Sequence, residues 1–176
     1  MNTERYSTPA RLLHWLIAVL AVAQIALGFV TDNTPREEAQ GLQSAHAQLG
    51  LLILSLMVLR IAWRVAHPPP RLAGLDVGWR RTSAAMTHGL LYALLLLMPL
   101  TGLVLWLWMG RPVALLGWEI YPAVDWSQHD EFWRSVAGYF HEYGSYSLVA
   151  AILLHLAAAG WHEFIRKDGL IRRRML

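Results

Sequence analysis

Four stretches of this chain are each long and apolar enough to cross a bilayer, and that limits the fold more than any other feature. A helix needs roughly 20 residues to span about 30 Å of hydrocarbon, and the runs around "LLHWLIAVLAVAQIALGFV", "AHAQLGLLILSLMVLRIAWRV", "GLLYALLLLMPLTGLVLWLWM" and "YGSYSLVAAILLHLAAAGWHEF" all reach it. Lipid offers no partner for a backbone N–H or C=O, so runs of this length fold as helices that satisfy those groups internally. The expectation is an all-α integral membrane four-helix bundle in a single domain over 1–176. Its helices are expected at about 10–31, 44–66, 84–109 and 141–166, with an amphipathic periplasmic loop over 110–140.

Composition agrees. Charged residues make up 15% of the chain, against about 25% in soluble domains, and the nine tryptophans suit a membrane–water interface. The absence of cysteine removes disulfides, iron–sulfur ligation, thiol catalysis and covalent c-type haem attachment. No basic patch points to nucleic acid. The first run follows Arg5 and Arg11 and contains "AVA", as a cleaved signal peptide would. Its apolar length exceeds an ordinary h-region, and a His-Trp pair lies inside it, so it reads as a span.

Charge asymmetry orients the bundle. With four spans, one side holds Arg5, Arg11, Arg64, Arg71, Arg80, Arg81, Arg166, Lys167, Arg172, Arg173 and Arg174, and the other only Arg36, Arg111 and Arg134. Cytoplasmic loops carry the excess of Lys and Arg, so both termini are expected in the cytoplasm of a multi-pass bacterial inner-membrane protein. The prolines of "HPPP" stop the second helix, whereas Pro99 in "PLTG" should bend the third without ending it.

The eight histidines then need explaining. His67 and His129 belong to loops and read as solvated surface residues. On the fourth span, His141 and His155 are 14 residues apart, about 40° short of whole turns and about 21 Å along the axis. They therefore share a face from opposite leaflets, and His162 continues the stripe. His46 opens the second span level with His141. His14 lies about one turn in from the cytoplasmic edge and is level with His155, as is His88; depth alone does not choose between those two.

Facing imidazoles at two depths are what haem iron asks for, since it takes axial ligands on opposite faces of its ring. Two such pairs predict two haems b, one near each surface, with irons about 20 Å apart by helix rise. Arg60, deep in an apolar helix, needs a partner, and a haem propionate would serve. A lone membrane histidine can instead hydrogen-bond a neighbouring helix or line a proton path, a reading that suits His88 or His162 taken singly. It does not account for four histidines paired by depth. Zinc or copper fits poorly, because "HEYGS" is not H-E-x-x-H and no i, i+4 histidine pair exists.

"LLHWL", "HAQLGLLILSLMVLRIAWR" followed by "HPPP", "THGLLYALLLLMPLTG" and "LHLAAAGWHEF", in that order, resemble the bacterial cytochrome b561 family, the four-helix di-haem b cytochromes related to the cytochrome b subunits of nickel–iron hydrogenases. The resemblance covers essentially the whole chain. It implies His14 and His155 as ligands of the cytoplasmic-side haem and His46 and His141 as ligands of the periplasmic-side haem. It also implies electron exchange with membrane quinone, ubiquinone being the expected acceptor, because members of the family carry electrons from periplasmic superoxide to ubiquinone. Arg111 and Arg134 would supply positive charge for an anionic donor, although the outer loop is otherwise acidic. On the inner side His88, His162, Arg80 and Arg81 are candidates for a quinone or propionate site. Two further readings are an anchor subunit fed by a partner dehydrogenase or hydrogenase, and a non-redox protein whose histidines move protons.

Overall fold

The computed structural model describes residues 5–68, 78–126 and 131–176. His129, Arg71 and the prolines at 69 and 70 lie outside them, and of Trp79, Arg80 and Arg81 only the backbone is described. Four long helices form the molecule: α1 (Thr8–Asp32), α2 (Gln40–Ala66), α3 (Trp79–Trp108) and α4 (Glu131–Gly160). A π-helical turn, Trp161–Arg166, prolongs α4, and a short α5 (Leu170–Arg174) follows. Each of the four is long and apolar enough to cross a membrane.

Local sequence sets their ends. Pro9 sits in the first turn of α1, where its missing N–H would be unpaired in any case. Gly78, at φ 96°, supplies a backbone turn into α3 that a side chain would resist. α2 closes where the His67 N–H bonds the Trp63 carbonyl, just ahead of the prolines. α3 runs through Pro99 without a break, since a membrane bundle re-satisfies the freed carbonyl locally.

The fourth helix begins ten residues earlier than the expected 141, at Glu131. The connection before it holds a two-stranded antiparallel hairpin, β1 (Val113–Leu115) and β2 (Trp118–Tyr121), where amphipathic pieces were expected. Leu116 and Gly117 turn the hairpin with φ of 52° and 84°, the paired left-handed conformation that matches the twist of its strands. β1 packs on α2, with Val113 buried.

α3 packs on α4, α1 on α2, and α2 on α3. The core has two apolar clusters. One joins Leu91 and Leu94 of α3 to Leu148 and Ala151 of α4, and the other joins Ile17 of α1 to Ile53 and Met57 of α2. Large apolar side chains such as Phe29, Val19 and Leu153 point outward, as expected where the solvent is lipid. Both termini lie at one end: the Tyr6 N–H bonds the Arg174 carbonyl at 3.2 Å, the Trp15 indole N–H bonds the Met175 carbonyl, and Arg11 bonds the Leu176 carbonyl.

Candidate functional site

The helices gather imidazoles at two levels. At the end away from the termini, His46 of α2 and His141 of α4 bring their ring centroids to 6.2 Å, with planes at 78°. Toward the termini, His14 of α1 and His155 of α4 stand 6.3 Å apart at 82°. His88 of α3 reaches this second level, 5.5 Å from His155 at 67°. The apolar clusters fill the helices between: Leu148 and Ala151 lie between His141 and His155 on α4, and Ile53 and Met57 lie between His46 and Arg60 on α2.

These separations test whether a haem fits. An imidazole nitrogen sits about 2.0–2.1 Å from a metal it ligates and about 1.1 Å from its own ring centre. Two imidazoles on opposite faces of one iron therefore hold their centroids about 6.3 Å apart. Both cross-bundle pairs stand at that distance. His88 and His155, at 5.5 Å, are closer than an intervening iron would hold them. The donor set is also right: imidazoles with no carboxylate or thiolate among them, and, among the described residues, no group of three or more acidic, cysteine or histidine side chains that would hold a bare ion.

The His46–His141 level is framed by glycine. A Cβ on Gly28 of α1 would meet His46 Cε1 at 3.0 Å, and one on Gly102 of α3 would meet His141 Cε1 at the same distance. Each ring is thus seated against the bare backbone of a neighbouring helix. The two rings differ in their hydrogen bonds. His141 Nδ1 lies 3.1 Å from the Met98 carbonyl and 3.0 Å from Thr101 Oγ1; His46 Nδ1 is buried with no hydrogen-bond partner among the described residues. α2 is tied to α1 here by Gln24, whose amide donates to the His46 carbonyl at 3.0 Å.

At the level nearer the termini, Arg60 Nε donates to the Tyr92 hydroxyl at 2.9 Å. The guanidiniums of Arg60 and Arg64 lie 5.7 and 5.5 Å from the Tyr92 ring centroid. Among the described residues Arg60 Nη1 is buried without a hydrogen-bond partner. A buried, half-satisfied guanidinium is a fitted receptor for a carboxylate. The sequence offered Arg60 but not Tyr92, an aromatic residue indistinguishable there from a lipid anchor.

Other expected site residues have different surroundings. His162 stands in the π-helical turn, where each residue advances by less than the α-helical 100°, and its Nδ1 pairs with Asp168 Oδ2 at 2.6 Å. Burial alone would push the Asp168 carboxyl up. The hydrogen bonds from His162 and from the Leu170 N–H, together with the Arg166 charge, outweigh burial and hold the carboxyl below the usual carboxylate range. Near the hairpin, Arg134 is paired with Glu131 at 2.7 Å, so its charge is offset on its own helix. Arg111 lies over the Trp106 ring at 5.1 Å.

Residues 5–176 match the family model described as prokaryotic cytochrome b561. The chain is 30% identical to cytochrome b561 homolog 2 of Escherichia coli K12, over 98% of this chain and 92% of that protein. It is 25% identical to cytochrome b561 homolog 1 of the same organism, over 98% and 97%. It is 23% identical to a probable superoxide oxidase of Yersinia pestis, over 98% and 96%.

Proposed function

The chain belongs to the prokaryotic cytochrome b561 family of membrane electron-transfer proteins, and from that premise we propose that it carries electrons across the bacterial inner membrane between a periplasmic donor and membrane quinone. The observation that carries this reading is the pair of cross-bundle imidazole contacts, 6.2 and 6.3 Å, one at each level. Family membership implies haem b. His46 with His141 and His14 with His155 would each hold one haem b, which when bound would supply one-electron Fe(III)/Fe(II) chemistry near each surface.

The chain's own residues do the rest. α4 fixes the distance between the levels, because it contributes a ligand to each 14 residues apart, about 21 Å along the helix. The arginine and lysine excess at the end bearing the termini orients the bundle with that end in the cytoplasm. Arg60, steadied by Tyr92, holds a propionate at the inner level. His88, beside His155, borders that level and is available to a quinone head group. Superoxide is the proposed donor, since a relative at 23% identity bears the name of a probable superoxide oxidase.

The test is spectroscopic and functional together. Purified protein should show two haems b per chain and two waves in a potentiometric titration. Superoxide should reduce them, and a quinone analogue should reoxidise them. One haem per chain would overturn the paired assignment. Failure of superoxide to reduce the haems, with a second polypeptide co-purifying, would instead favour an anchor subunit fed by a partner dehydrogenase.

A further inference from the structure

One turn of α3 handles the His141 ring from three sides. The Met98 carbonyl accepts at Nδ1 (3.1 Å), Thr101 Oγ1 stands at the same nitrogen (3.0 Å), and Gly102 leaves room for Cε1. A carbonyl can only accept, so the proton is on Nδ1 and the lone pair is on Nε2, the nitrogen left for a metal. The Thr101 hydroxyl donates back to the Leu97 carbonyl at 2.9 Å, which turns an oxygen lone pair toward Nδ1–H. Thr101 is buried, at 9% exposure. His46 has nothing equivalent, its Nδ1 being unpartnered.

We propose that Thr101 is a positioning residue for the outer redox centre: it shares Nδ1–H of His141 with the Met98 carbonyl, locks the ring's tautomer and rotation, and raises that ligand's electron donation above that of His46. This rests on His46 and His141 being a ligand pair. An accepted Nδ1–H gives imidazole partial imidazolate character and favours the higher charge on a bound metal. Thr101 therefore lowers the reduction potential of the outer centre, and the inner centre is unaffected. The threonine makes the two centres unequal from one side only, through a ligand whose opposite partner is held by shape alone.

The experiment compares Thr101→Val and Thr101→Ser with the full-length wild-type protein. Haem content, two-wave potentiometry and ferric EPR are read for each. Valine keeps the volume and removes the acceptor, while serine keeps the acceptor and removes a methyl. In Thr101→Val both haems stay, and one wave alone moves to higher potential. The expected change is a several-fold to tenfold shift in that centre's reduction equilibrium, tenfold being about 59 mV for one electron. The EPR signal of the same centre shifts as the ring loses one of its two acceptors and is held by the Met98 carbonyl alone. Thr101→Ser restores both readouts. Two haems with unmoved potentials and EPR in Thr101→Val would overturn the proposal while leaving the ligand pair intact. Loss of one haem in both variants would also overturn it, since packing and not the hydroxyl would then be at work. The ligand pair itself is tested separately: if His141→Ala keeps two haems, the underlying assignment fails.

Discussion

Replacing Gly102 with alanine puts the seating of His141 under direct strain. The new Cβ would stand 3.0 Å from His141 Cε1 and 3.5 Å from Nδ1, whereas carbon atoms rest at about 3.5–4.0 Å. The ring must therefore give by a few tenths of an ångström, and it is held in place at Nδ1 by Met98 and Thr101. Overpacking of this kind costs about 1–3 kcal/mol, of which the better helix propensity of alanine returns about 1 kcal/mol. Gly28→Ala meets the other ring at the same 3.0 Å, but His46 Nδ1 has no bond to break, so that ring yields more cheaply. Gly144→Ala looks worst by distance, 2.8 Å from Met98 Sδ, yet a thioether on a flexible chain can swing aside. The expected order of damage is Gly102 above Gly28 above Gly144. Haem-to-protein ratio and midpoint potentials on purified variants measure it, the net cost of about 0–2 kcal/mol giving up to about thirtyfold weaker retention of one haem in Gly102→Ala. If Gly144→Ala loses haem while Gly102→Ala keeps both at unshifted potentials, the account of a locked ring is refuted.

Further outcomes follow from the same geometry. His14→Ala should remove the inner haem and leave the outer one, whereas His88→Ala should keep two haems; the reverse result in a haem count would make His88 the ligand. Arg60→Leu leaves Tyr92 without its donor and the propionate without its receptor. It should lower the potential of the inner centre alone, because a nearby cation favours the less positive, reduced state of the metal, as potentiometry will read. Because its partners hold the Asp168 carboxyl below its ordinary value of 3.8, the anion's contribution is complete above that pH and fades as pH falls through the lowered value. Protection factors over 161–174, taken against the intrinsic amide rate at each pH, should therefore be high near neutrality and fall below pH 3.8, and Asp168→Asn should show the lowered protection at neutral pH.

The spans were legible because bilayer thickness turns hydrophobic length into secondary structure almost without ambiguity. The start of α4 was not, because "EFWRSVAGYF" mixes charge with aromatics and reads as interface, yet it continues the helix to Glu131. The hairpin depends on Leu116 accepting a left-handed backbone, which nothing in its side chain advertises. Rise per residue placed six histidines by depth but says nothing about which helices face one another, so it left His14 and His88 level; the resemblance implied His14, and their ring centroids stand 6.3 and 5.5 Å from that of His155. His162 falls in a π-helical turn, whose shorter angular step per residue has no signature in the sequence. The partner of His141 is a backbone carbonyl 43 residues away, and a carbonyl has no sequence signature at all.

The apolar layer of Ile17, Ile53, Met57, Leu91, Leu94, Leu148 and Ala151 has an electrical consequence. It is the dielectric of a small capacitor, and most of the transmembrane voltage falls across it. Under the proposed orientation, an electron passing inward travels toward the negative plate. Moving one charge through the whole membrane involves about 2.3 kcal/mol per 100 mV, and the levels span about 21 Å of about 30 Å. The step between them is then opposed by about 1.6 kcal/mol per 100 mV. Turnover in vesicles should accordingly slow as an inside-negative potential is imposed and recover when it is collapsed.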